Sequence, residues 1–341
     1  MMKTFFNFLQ AALIGLLKLL RGSKRLAKSR SLLAYTSYGN KKQVRLLARL
    51  VEAHPQIDFE NRQSSMKHFF QVARLFFMHP VKHSLIKVRF QPKQSFEIST
   101  NDFGFSNKLL LVENEGKEKI QKVDFFSEDL PGRLLNSQAK VIQPNQDTHK
   151  IFISDVDDTI LVSKATNFIS LALKTLFLPP TKRKSFPEAA KVYQKLKHGK
   201  SGAENNLFFY VSSSTWDIYP LLREFLKLNR FPEGVLLLQN VKQEKQKKSK
   251  ISHSHKLERI QEIIEMYPEY KIELIGDAGQ ADPMIYLEIA SRYPKMVDKI
   301  LIRKRWWDSN FTDEDSYLKK AEKLGVEMHY FSSLDEIYNE F

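Results

Sequence analysis

Two hydrophobic rhythms divide this chain. In "SLIKVRF" (Ser84–Phe90) the apolar residues Ile86, Val88 and Phe90 alternate with polar ones, and "NKLLLVE" (Asn107–Glu113) is a second strand-like run. Between them "TNDFGF" holds Asp102 and Gly104 where a turn is expected. "QVRLLARLVEA" (Gln43–Ala53) fits a strand or a helix, because its apolar residues follow neither period cleanly. These features predict a small, mostly-β domain over 32–142, a scaffold or docking module with no cluster of catalytic residue types. The polar stretch "QPNQDTHK" (Gln143–Lys150) then reads as a linker.

Beyond it the rhythm changes. "KIFISD" (Lys150–Asp155), "NLFFYVSS" (Asn206–Ser213), "GVLLLQ" (Gly234–Gln239), "KIELIGD" (Lys271–Asp277) and "DKILIRK" (Asp298–Lys304) are short apolar runs. Amphipathic helical patterns lie between most of them, at Ile218–Asn229, Lys256–Tyr267 and Pro283–Tyr293. Continuously apolar strands alternating with helices predict an α/β domain over 150–341, a parallel sheet with helices on both faces.

The first 31 residues follow a third pattern. On a helix, Lys3, Asn7, Gln10, Lys18 and Arg21 form a narrow polar stripe, and Phe5, Phe6, Leu9, Leu13, Leu16, Leu17 and Leu20 cover the rest. The apolar part is short for a membrane span, which needs about 20 residues. Arg21, Lys24, Arg25, Lys28 and Arg30 follow it, where a cleaved leader would carry small residues. The segment reads as an amphipathic helix lying in a membrane interface, or as one docked on the protein's own body.

Composition narrows the chemistry. Hydrophobic residues make up 42% of the 341, enough for real cores, and cysteine is absent, which removes disulfides, thiol catalysis and thiolate metal sites. A reducing cytoplasm suits such a chain. The formal net charge of +15 calls for a polyanionic partner, either nucleic acid or an anionic membrane surface. The basic run "VKQEKQKKSKISHSHK" (Val241–Lys256) is a solvated loop or a guide for an anionic substrate, and the tryptophans of "RKRWW" (Arg303–Trp307) suit edge packing rather than the alternative, contact with a membrane interface.

Ligands of an open parallel sheet bind beyond the carboxyl ends of its strands. Here those ends carry Asp155, Asp157 and Asp158 after the first strand, Ser212, Ser213 and Ser214 after the second, and Asp277 with nearby Asp282 after the fourth. Carboxylates crowded on one rim repel one another unless a cation sits among them. An all-oxygen set of this kind suits Mg²⁺, shared by Asp155 and Asp277. His253 and His255 have a spacing that could suit a metal, but oxygen-rich surroundings argue against it. Ser213 and Ser214 are expected to cap the helix near Trp216, and Asp158 to support the neighbouring acids or act as a cap.

"DVDDT" (Asp155–Thr159) resembles the DxDxT signature of the haloacid dehalogenase superfamily of phosphotransferases, with Ser212, Lys256 and "GDAGQAD" (Gly276–Asp282) in the order of its later motifs. More narrowly, "NLFFYVSSSTWDIYPLLREFL", His255–Lys256 and "LIGDAGQADPMIY" resemble the actin-patch-protein family of phosphatidate phosphatases over about Lys150 to Asp308. "LLAYTSYGN" (Leu32–Asn40) and "TNDFGF" echo that family's N-terminal β domain more weakly. Thr215 stands where the family pattern has proline, and Glu188 where it has glycine, which bears on pocket shape rather than chemistry.

The resemblance implies a Mg²⁺-dependent phosphatase that converts phosphatidate to diacylglycerol through an aspartyl-phosphate. Asp155 would be the nucleophile and Asp157 the general acid and base. Lys256 would offset the charge of the intermediate, Ser212 and Lys256 would bind the phosphoryl group, and Thr159 would brace the loop. Asp155, Asp157 and Asp277 would form the metal site, with Asp282 ligating the ion or orienting its water. The implied partner is phospholipid at an anionic membrane surface, and the implied location is the cytoplasm, peripherally membrane-associated. Two rivals are a phosphomonoesterase for nucleic-acid ends or soluble phosphoesters, and an inactive membrane adaptor on the same fold.

Overall fold

The computed structural model describes residues 30–52, 78–90, 94–112, 120–130, 133–156, 187–239, 254–278, 281–304, 314–333 and 336–337. The expected N-terminal helix lies outside these residues apart from Arg30 and Ser31, which are already strand.

The first sheet is built from β1 (Arg30–Gly39), β2 (Gln43–Glu52), β3 (His79–Pro80), β4 (Leu85–Phe90), β5 (Gln94–Ser99), β6 (Phe105–Leu111), β7 (Lys122–Leu130) and β8 (Arg133–Ile142). Its strand order is β3-β2-β1-β8-β7-β4-β5, with β6 also paired to β2. All the pairings are antiparallel except a short parallel one between β1 and β8. β4 shows the expected alternation, with Ile86, Val88 and Phe90 buried between exposed neighbours. The "TNDFGF" turn is also present. Gly104 has φ +67° and a Cβ there would lie 2.4 Å from the Leu50 carbonyl oxygen, so the position requires glycine.

β2 is a strand, and its ambiguous pattern has a physical cause. Val44, Leu46, Ala48 and Leu50 face the core of this sheet, whereas Leu47 and Val51 belong to the core of the second sheet. Covered on both faces, the strand loses the clean period of two.

The second sheet comprises β9 (Lys150–Asp155), β10 (Leu207–Thr215), β11 (Val235–Gln239), β12 (Lys271–Asp277), β13 (Val297–Arg303) and β14 (Glu327–Phe331). They pair in the order β11-β10-β9-β12-β13-β14, and every pairing is parallel. Between them lie α1 (Pro187–His198), α2 (Tyr219–Leu228), α3 (Ser254–Met266), α4 (Asp282–Arg292) and α5 (Glu314–Leu324). Right-handed crossovers put α1 and α2 on one face and α3, α4 and α5 on the other, and α4 indeed contacts both α3 and α5.

This order has a topological switch point. The chain moves outward from β9 to β10 and β11, then returns to the opposite side of β9 as β12. Divergent connections leave a crevice beyond the carboxyl ends of β9 and β12. Among the described residues no helix is long and apolar enough to cross a membrane.

Candidate active site

Asp155 is the last residue of β9 and Asp277 the last of β12, so both carboxylates stand at that crevice. Asp282 opens α4 and returns to the same place. Oxygen atoms of Asp155, Asp277 and Asp282 lie within 4.8 Å of one another, and all three residues are buried. No histidine joins this group among the described residues.

Lys256, in the first turn of α3, reaches into the cluster. Its Nζ donates to Asp155 Oδ1 at 2.9 Å and also to Asp282 Oδ1. Burial works against the ammonium charge, but Asp155 and then Asp282 outweigh it and hold the lysine pKa above its ordinary range. Burial pushes the Asp282 carboxyl up to about 6, with Lys256 opposing and Asp155 adding to the rise.

Asp282 is engaged through both oxygens. Oδ1 accepts from Lys256, and Oδ2 accepts the Asp277 backbone N–H at 3.3 Å. The close return of α4 onto β12 depends on Gly276, where a Cβ would sit 2.5 Å from Asp282 Oδ2 and 2.7 Å from the Tyr286 ring. Tyr286 secures the same junction by donating its hydroxyl to the Ile275 carbonyl at 3.0 Å.

At the same strand end, the Ser154 hydroxyl donates to the Asp155 carbonyl at 2.7 Å. A hydroxyl has one proton to give, so the Tyr193 hydroxyl, 2.7 Å away, is the donor to Ser154. Sequence reasoning missed Tyr193, since nothing in an amphipathic helix marks a tyrosine that braces a distant strand end. It also read Arg303 only as part of a basic, tryptophan-bearing segment. Arg303 is a buried strand end in register with Asp277.

Ser212 is fully buried on β10, one residue beyond the Val211–Asp155 pair, and its Oγ accepts the Ser214 N–H at 3.0 Å. The capping role expected of Ser213 and Ser214 is not found. β10 continues through Thr215, the N-cap of a 3₁₀ turn (Trp216–Ile218), and no side chain caps it. Asp157, Asp158, Thr159 and His253, with most of the basic run Val241–Lys256 and the segment Arg305–Trp307, lie outside the described residues. The structure thus brings together Asp155, Lys256, Asp277 and Asp282 and puts Ser212 on the strand next to Asp155.

Fold and site together define an open parallel α/β protein with a buried, lysine-tied acidic centre at its switch point. Residues 151–304 match the profile of a family described as phosphatidate phosphatase APP1, catalytic domain. This match agrees with the resemblance carried by the motifs. The chain is 27% identical over 152 residues to phosphatidate phosphatase APP1 of Saccharomyces cerevisiae, an alignment covering 44% of this chain and 25% of that protein. It is 23% identical over 206 residues to an uncharacterized protein of Schizosaccharomyces pombe, covering 60% of this chain and 31% of the other. The chain thus spans well under half the length of either relative. A solved carbohydrate acetylesterase from Xanthomonas citri aligns over 90% of this chain and 71% of its own at 8% identity, but its TM-score of 0.34 carries no argument.

Proposed function

We propose that this chain is a Mg²⁺-dependent phosphatase of the haloacid dehalogenase type that hydrolyses phosphatidate at a membrane surface. The observation that carries the reading is the pairing of Asp155 with Lys256 beside Asp277 at the switch point. The family match of residues 151–304 and the motif "DVDDT" support the same chemistry.

A carboxylate nucleophile needs a fixed position and a neighbour that offsets negative charge as phosphate approaches. Lys256 meets both needs, because it binds one oxygen of Asp155 and retains its own charge despite burial. Asp155 attacks phosphorus and forms an aspartyl-phosphate, while the phosphorus–oxygen bond to diacylglycerol breaks. Asp157, two residues along, protonates the departing alkoxide. It then takes a proton from water, whose oxygen attacks the same phosphorus, frees phosphate and restores Asp155. Ser212 offers a hydroxyl to a phosphoryl oxygen, and Thr159 steadies the loop.

The donor set fits a hard divalent cation, since three buried carboxylates contribute only oxygen. Lys256 and the Asp277 amide already engage Asp282, so Asp155 and Asp277, with Asp157, are the residues that would hold Mg²⁺. Asp282 then orients Lys256 and the end of β12. When bound, the ion supplies charge neutralisation for the phosphoryl group.

The lipid substrate follows from the family match, and the net charge of +15 suits an anionic surface. The Met1–Ser31 segment is the proposed peripheral anchor of a cytoplasmic enzyme. The test presents phosphatidate in vesicles beside a soluble phosphoester and follows phosphate release with Mg²⁺ and with chelator. Preference for the vesicle substrate, abolished by chelation and by Asp155→Asn, is the expected result. Faster hydrolysis of the soluble ester, or of a nucleic-acid end, overturns the substrate. Activity that survives Asp155→Asn overturns the mechanism.

A further inference from the structure

β2 presents alternate residues to the parallel-sheet domain, and two of them are arginines. Arg49 Nη1 binds Asp217 Oδ1 at 2.7 Å, and Arg45 Nη1 lies 3.5 Å from Glu262 Oε1. Asp217 sits in the 3₁₀ turn that directly follows the Ser212–Ser214 segment, and Glu262 lies on α3, which carries Lys256. Both contacts therefore act on elements that deliver active-site side chains.

The surrounding packing repeats this arrangement. Tyr35 of β1 packs against Trp216 and Tyr219 in tilted geometry, with ring centroids 4.8 and 4.5 Å away, and the Phe105 ring of β6 lies 4.7 Å from that of Trp216. The Thr36 backbone N–H donates to the Tyr219 hydroxyl at 3.2 Å. At the far end of α3, the Asn40 amide donates to the Met266 carbonyl at 2.7 Å and the Tyr267 hydroxyl to the Gly39 carbonyl at 3.2 Å. The turn and the end of α3 are thus both packed against the antiparallel sheet.

We propose that the antiparallel sheet is a working part of the active site, and that Arg49 is a positioning residue which acts through Asp217 to fix the Ser212 loop. Without a side-chain cap of its own, the turn at Trp216 takes its orientation from this ion pair and the aromatic stack around it. Ser212 accepts from the Ser214 N–H, so a shift of the turn alters where the serine hydroxyl points. Displacements near 1 Å can reduce rates about 100-fold. A single contact within a larger stack warrants a smaller loss, about tenfold.

The inference rests on the phosphatase reading, so its test has one arm that needs no activity. Arg49→Ala, Arg49→Lys and Asp217→Asn are made in the full chain, and each is checked for cooperative unfolding. Amide hydrogen exchange is then followed over residues 212–219. Expected is faster exchange in Arg49→Ala and Asp217→Asn, and near wild-type exchange in Arg49→Lys. On phosphatidate vesicles, kcat falls about tenfold in the first two while KM changes less than twofold. Adding Arg49→Ala to Ser212→Ala lowers kcat no further, because both changes act through one group.

Unchanged exchange, or additive losses in the double variant, overturns the proposal. If Arg49→Ala does not fold, Asp217→Asn breaks the same contact from the other domain and decides the question. If the wild-type protein releases no phosphate, the phosphatase reading fails and the exchange arm alone judges the positioning.

Discussion

At both ends of β9 and β12 a lysine is tied to carboxylates. At the amino ends, Lys150 binds Glu273 and reaches Asp298 at 3.0 Å. Glu273 is fully buried there, but Asp298 is 40% exposed and Lys299 on the next strand lends further positive charge to Glu273. At the carboxyl ends, Asp155, Asp277 and Asp282 are all buried around Lys256. Even with the buried Arg303 counted, acids outnumber cations there among the described residues.

The difference teaches how to read a buried ion cluster. One buried acid facing two lysines is electrostatically complete, and water reaches its edge. Such a cluster closes the bottom of a sheet and needs nothing more. Among the described residues, three buried acids share one lysine and one arginine at the crevice where the topology leaves room for a ligand. Burial and ion pairing are common to both ends; charge balance and place in the topology separate them.

Four experiments would break or sharpen this contrast. The largest effect is expected from Asp155→Asn, which should lower phosphate release by at least about 10⁴-fold, or about 5 kcal/mol of barrier. The variant should keep its thermal unfolding transition, and loss of the fold would place Asp155 with the structural cluster instead. Next is Lys256→Met, which leaves Asp155 and Asp282 buried without their cation. Urea unfolding should show a loss of about 3–5 kcal/mol together with loss of activity.

Cation binding gives the third contrast. Mg²⁺ at a hundredfold excess over its Kd should stabilise the protein by about 2.7 kcal/mol, seen as a raised Tm. Asp277→Asn should remove that gain, and Lys150→Met should retain it. The smallest effect is that of Lys150→Met itself, about 1 kcal/mol of stability, because Lys150 is partly solvated, with activity per folded molecule unchanged.

The pH dependence of this last variant follows from Glu273. Burial raises its pKa above the ordinary 4.5 and Lys150 opposes the rise, so removing the lysine raises it further. A raised carboxyl pKa means that folding is favoured while the acid is protonated, below pH 4.5, and loses that support as pH climbs through the folded pKa. The stability deficit of Lys150→Met should therefore be present at neutral pH and shrink as pH falls toward 4.5. A deficit that grows on acidification would assign the lysine some other role.

Much of the parallel sheet was legible in advance. β9 through β13 fall within a residue or two of the apolar runs, because a strand covered on both faces leaves an uninterrupted apolar record. β2 shows the converse. Its two faces pack into different cores and arginines share one of them, so the period became ambiguous. The serine caps misled because local propensity favours Ser at an N-cap, whereas here the strand pairing extends to Thr215.

The amino-acid sequence by itself determined which residues end the parallel strands, and therefore which carboxylates reach the rim. That information is local, since the run of apolar residues marks the strand and the first acid after it marks the end. Only the tertiary structure decided which of these groups meet. Lys256 stands 101 residues from Asp155 yet bonds to it, and Gly276 matters because α4 folds back against it. Arg49, on a strand of the other sheet, touches the turn behind Ser212. Such meetings depend on crossover direction and on how one sheet packs against another, and neither leaves a periodic trace in the residues that finally touch.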